Sequence, residues 1–167
     1  MRDEMRPFLE EGVRQYVDAK NTVATFEREM GQLLAEAVRS RRQWSPLNDT
    51  PRIGRPSPGG GSGGYGYWIW IGISGQTKTY KRVYIECGLW WEVPTTTELK
   101  IDGPIIYASY DDMPKHIVAF SWRGNTRDIR SFLRGGKTFL YVPLRKPQEI
   151  AGSLNRLVDA LLKQLKS

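Results

Sequence analysis

Residues 67–92 read "YWIWIGISGQTKTYKRVYIECGLWWE". On both sides of "SGQTK" apolar side chains recur at every second position, the period of an extended chain. In the first run Tyr67, Ile69, Ile71 and Ile73 share one face, and Trp68, Trp70 and Gly72 the other. In the second, from Tyr80 to Glu92, the faces are Val83, Ile85, Cys87, Leu89 and Trp91 against Arg82, Tyr84, Glu86, Gly88, Trp90 and Glu92. An antiparallel hairpin that matches aliphatic to aliphatic predicts Ile71 opposite Val83 and Ile69 opposite Ile85. It then sets Trp70 across from Tyr84 and Trp68 across from Glu86. A one-residue slip would turn every side chain over, so the faces are well specified.

One face of this hairpin is aliphatic and the other aromatic. An open aromatic face would stack nucleic-acid bases, whereas a covered one is core. Both faces are apolar and helices flank the hairpin in sequence, which predicts burial on both sides. The expected lid over Trp68 and Trp70 is the N-terminal helix.

That helix is predicted over residues 5–43. Leu9, Val13, Tyr16, Val23, Met30, Leu34 and Val38 follow helical spacing. Nearly forty residues would span about 55–60 Å, so the helix either bends near Asn21-Thr22 or projects and pairs with a second chain. Residues 45–66 contain four prolines and a Gly-Ser tract, and read as a linker without regular structure. The predicted organisation is a helix over 1–44, a linker over 45–66 and an α+β domain over 67–167.

Downstream, strands are expected at Pro104–Ser109, His116–Trp122 and Lys137–Pro143. A short helix is expected at Thr126–Arg134, capped by Asn125 or Thr126 and stopped by Gly135-Gly136. From Pro147 onward, Ile150, Leu154, Leu157, Val158, Leu161, Leu162 and Leu165 form an amphipathic stripe. The fold class is therefore α+β, a mainly antiparallel sheet of about five strands flanked by helices.

The chain carries 25 basic and 18 acidic residues, and the excess is local. Residues 126–167 alone hold nine basic and three acidic side chains. On the expected short helix Arg127, Arg130 and Arg134 would line one face, with Arg123, Lys137, Arg145 and Lys146 near in sequence. Guanidinium groups match phosphate and carboxylate in two-pronged fashion. This strip predicts an anionic partner, either nucleic acid or an acidic protein surface.

Catalytic residue types are scarce. The single cysteine, Cys87, lies on the aliphatic face, where a structural role is expected, and there is one histidine, His116. Nothing points to a bound cofactor or a histidine-based metal site. Glu98-Leu99-Lys100 is similar to the Glu-x-Lys signature of the PD-(D/E)XK nucleases, with Glu86 or Glu92 upstream as a second acid. The resemblance implies carboxylates holding Mg²⁺ and Lys100 helping to activate water. The two functional expectations are a non-enzymatic binding protein using the arginine strip, and a nuclease, active or degenerate, using Glu86, Glu98 and Lys100. No apolar run reaches the length of a membrane span, and no apolar stretch follows the first six residues. A cytoplasmic location is expected, with self-association through the N-terminal helix as a further possibility.

Overall fold

The computed structural model describes residues 6–47, 52–54, 65–74, 80–92, 104–124 and 128–165. Along the chain come helix α1 (Arg6–Arg39), strands β1 (Trp44–Pro46), β2 (Arg52–Gly54), β3 (Tyr65–Ser74), β4 (Arg82–Glu92) and β5 (Ile105–Asp111), and the one-turn helix α2 (Lys115–Val118). Strands β6 (Arg130–Arg134) and β7 (Lys137–Pro143) follow, then a 3-10 turn (Pro147–Glu149) leading into α3 (Ile150–Gln164). The strands form one antiparallel sheet in the order β1-β3-β4-β5-β7-β6, with β2 beside β1 on the outer edge of β3. The class is α+β, as the sequence predicts.

The hairpin that anchors the fold has the expected faces and a different register. Ile71 faces Ile85, Ile69 faces Cys87 and Ile73 faces Val83, two residues away from the expected pairing. Trp70 lies opposite Glu86, Trp68 opposite Gly88 and Gly72 opposite Tyr84. A two-residue slip keeps every side chain on its own face, so the alternation cannot choose between these registers. Close approach can. At Gly88 a Cβ would collide with the Tyr67 carbonyl oxygen, so this register needs glycine there.

Where a helix is expected at Thr126–Arg134, the described residues form β6 from Arg130 to Arg134; Arg127 and the expected caps Asn125 and Thr126 lie outside the described residues. Gly135 and Gly136 both have positive φ, 56° and 76°. Two left-handed residues in a two-residue loop make a type I′ hairpin turn, whereas a helix stop needs one. Phe132 then stacks on Phe139 across the strands, with ring centroids 5.2 Å apart and planes 7° apart.

The expected strand at His116–Trp122 is also replaced, by the single turn α2 and irregular chain. Beside β7 the place is already taken by β6. The segment is held to the aliphatic face by Thr138, whose hydroxyl accepts the Phe120 N–H (3.0 Å) and lies 2.8 Å from the Phe120 carbonyl oxygen as donor.

Of the stretch read as a structureless linker, β1 and β2 are strands on β3. Prolines are tolerated at a sheet edge, where the missing N–H faces outward. The Gly59–Gly64 tract lies outside the described residues.

The helices pack on the aliphatic face. Met30, Leu34, Ala37 and Val38 of α1 and Leu154, Leu157, Val158 and Leu161 of α3 are buried with Ile69, Ile71, Ile85, Cys87 and Leu140. Phe26 and Tyr67 meet Trp91 edge-on, with ring centroids 5.1 and 5.5 Å away. Arg41 ties the end of α1 to Asn155 (2.9 Å) and Asp159 (3.4 Å) of α3. The α1 helix is therefore not the lid over the tryptophan face. Its buried side chains, Met30, Leu34, Ala37 and Val38, are aliphatic or thioether and pack with the aliphatic face instead. Trp90, Ile105, Tyr107, Phe132, Phe139 and Tyr141 form a second buried cluster on the aromatic face, and no helical residue belongs to it among those described.

A candidate anion-binding surface

Because Arg130, Arg134 and Lys137 occupy a hairpin rather than a helix, their side chains sort differently from the sequence expectation. Arg130, Phe132 and Arg134 share the aromatic face, since strand side chains alternate. Lys137 faces Arg134 across the turn. Arg134 lies over the Trp90 ring, its guanidinium carbon 5.3 Å from the centroid, a cation–π geometry. Lys137 pairs with Asp111 at the end of β5. Both cations are half-buried and engaged.

Glu86, read from sequence as a candidate metal ligand, stands on the same face close to these two. It is half-buried and accepts a hydrogen bond from the Tyr107 hydroxyl at 2.9 Å. Burial raises its pKa above the usual 4.5; the Tyr107 bond, Lys137 and Arg134 pull the other way, and Asp111 adds to the rise. Burial, and then the Glu86 charge, push Tyr107 well up in turn. The structure thus brings one residue of the nuclease expectation together with two of the binding expectation in a row Glu86, Tyr107, Asp111, Lys137, Arg134. Such a row is mutually compensated and leaves little net charge for a ligand. Glu98 and Lys100 lie outside the described residues, as does Arg127. Among the described residues no three potential metal-ligating side chains cluster.

The remaining described strip residues are more open. Arg123, Arg130, Arg145 and Lys146 are all exposed, and none enters an ion pair with a described residue. Arg130 opens β6 opposite Tyr141, and Arg145 and Lys146 follow the end of β7. All three thus fall at the same end of the β6–β7 hairpin, Arg130 on the aromatic face and Arg145 on the side of α3. There β7 gives way to α3, and a groove of about 640 Å³ opens, lined by Asp128, Pro143, Arg145, Glu149 and Arg156 among others. Arg156 is bridged to Asp128, and Glu149 accepts the backbone N–H of Arg145 at 3.3 Å. Sequence reasoning missed Arg156 because it stands on the polar side of α3, nearly thirty residues from Asp128. Only the docking of α3 makes them neighbours.

The aromatic residues divide as well. Trp90 is buried, while Trp68, Trp70 and Tyr84 are half-buried. Trp68 and Trp70 meet edge-on at 6.4 Å, and Arg82 lies over Tyr84 at 5.6 Å. The Arg82 side chain also lies against Gly72, in the space a Cβ there would take. Cys87 is fully buried, its thiol directed at the Ile69 carbonyl oxygen 3.6 Å away, and burial raises its pKa strongly. A thiol so placed is a core side chain rather than a nucleophile. His116 is exposed, its Nε2 3.3 Å from the Tyr80 hydroxyl.

Comparison with protein-family models, curated proteins and solved structures finds no match to the chain. No helix among the described residues is long and apolar enough to cross a membrane.

Proposed function

We propose that this is a non-enzymatic binding protein that engages the phosphate backbone of a nucleic acid at the Pro143 end of the β6–β7 hairpin. The observation that carries the reading is that Arg130, Arg145 and Lys146 all lie at that end of the hairpin, exposed and without carboxylate partners among the described residues. The local excess of nine basic over three acidic residues in 126–167 supports it. Phosphate contacts of this kind position a chain on nucleic acid without reading its sequence. Arg134 and Lys137 then act as structural members of the hairpin.

Fluorescence anisotropy with single- and double-stranded oligonucleotides tests the reading. Binding is expected to weaken with salt. The triple variant Arg130→Ala/Arg145→Ala/Lys146→Ala should reduce the log–log salt slope by about 2 to 3. Arg134→Ala should leave the slope nearly unchanged. Unaltered affinity in the triple variant would overturn the assignment, as would binding to polyglutamate alone. Cleavage of the same oligonucleotides with Mn²⁺, lost on Glu98→Ala, would replace it with the nuclease reading.

A further inference from the structure

The apolar stripe of α1 is continuous, but only its second half is covered. From Met30 onward it is buried against the sheet and α3. Before that, Leu9, Val13, Tyr16, Val17, Val23 and Phe26 remain 38–67% exposed, Phe26 marking the boundary with one edge already on Trp91. The uncovered stretch, residues 9–26, is about 27 Å long. At ordinary side-chain areas these six residues expose about 550–600 Å² per chain, more than scattered surface residues account for. Two such patches together approach the ~1,200 Å² at which specific interfaces begin. The stretch also contains Val, Thr, Tyr, Asn and Gly, all weak helix formers, so its helicity calls for packing on the apolar side.

We propose that two copies of this chain pair through residues 9–26 of α1, antiparallel, about a two-fold axis near Asp18. The direction follows from the fold. The stripe faces the chain's own sheet beyond residue 27. A parallel partner helix, lying along the stripe, would run into the space that the sheet occupies. An antiparallel partner runs the other way and overlaps only the free halves.

The heptad spacing supports one register. Leu9, Tyr16, Val23 and Met30 fall seven apart, as do Val13, Lys20 and Glu27. In an antiparallel pair each series meets the other. Val13 meets Val23 of the second copy, and Tyr16 meets Lys20, whose ammonium can lie over the ring. At the flanks Val17 meets Val17, Ala19 meets Ala19, and Phe26 covers Gly12. No like charges oppose each other across the seam. Apart from Leu9, which falls opposite the buried Glu27, the surface is self-complementary, which a two-fold interface requires. A lipid surface fits less well, because residues 9–26 carry three acidic and two basic side chains.

Sedimentation of the full chain tests this. The mass expected at tens of micromolar is twice the 19.1 kDa of one chain. Val13→Asp/Val23→Asp should sediment as a monomer, with near-ultraviolet tryptophan circular dichroism unchanged because the sheet is untouched. Oxidation of Val17→Cys should cross-link two chains, while Leu9→Cys should not, since position 9 meets position 27 in this register. The buried Cys87 does not compete. A monomeric wild-type chain, a dimeric aspartate variant, or cross-linking through position 9 in place of 17 would each overturn the proposal.

Discussion

At the scale of the residue, Glu86 shows how a sheet face changes the meaning of a side chain. A carboxylate in an alternating strand reads as a metal ligand or a solvated charge. Here it is desolvated, with its pKa raised by burial. The unfolded chain ionises it near its usual 4.5, whereas the folded chain holds its proton to higher pH. Its stabilising contribution is therefore fully present below that value, and is lost as pH rises through the raised value. The urea midpoint of the wild-type chain should fall over that interval. Glu86→Gln, which keeps the bond from Tyr107 without the charge, should flatten the fall and be the more stable protein at pH 7. Equal pH profiles for the two proteins would show that Glu86 is not desolvated as described. The site's neighbours were partly legible: Glu86 and Tyr84 were on one face from alternation alone. Its partners Tyr107, Asp111 and Lys137 were not, because they arrive from strands whose order no local pattern specifies.

At the scale of the element, the β6–β7 hairpin turns on two glycines. Gly135 and Gly136 have open space around them, so substitution there is purely conformational in cost. Gly136→Ala should destabilise by about 1–2 kcal/mol, the penalty of placing a Cβ in the left-handed region. Gly135→Asn should be neutral or slightly stabilising, since Asn-Gly is the favoured pair of a type I′ turn. Chemical denaturation of the two variants checks both. The difference between the variants is the informative quantity, because a helix stop would place no such demand on two successive residues. The sequence "NTRDIRSFLRGG" carries helical spacing at Ile129, Phe132 and Leu133 and strand spacing at Arg130, Phe132 and Arg134 at once. With so few residues the period alone does not decide. The decision falls to Phe139 and Tyr141 across the turn, which reward the extended form with aromatic contacts.

At the scale of the whole molecule, α1 is half core and half overhang. Leu34 is fully buried between sheet and α3, so Leu34→Ala should cost about 2–5 kcal/mol of global stability. Val13→Ala should leave the stability of a dilute chain within about 0.5 kcal/mol, as surface changes do. Thermal unfolding of both at low concentration measures this contrast. Comparable losses from the two substitutions would mean that the first half of α1 packs within its own chain.

Composition and short-range periodicity determined the class, the strand faces, the two long helices and the basic bias of the last quarter. These depend on which side chains share a face, a property of neighbours two, three or four residues apart. Tertiary structure decided the hairpin register, the identity of β6, the side of the sheet that α1 covers and the sorting of the strip into engaged and free cations. Each of these depends on residues far apart in the chain competing for the same neighbour. Thr138 holds Phe120, Asp111 takes Lys137, Trp90 takes Arg134, and Arg130, Arg145 and Lys146 stay exposed with no ion pair to a described residue.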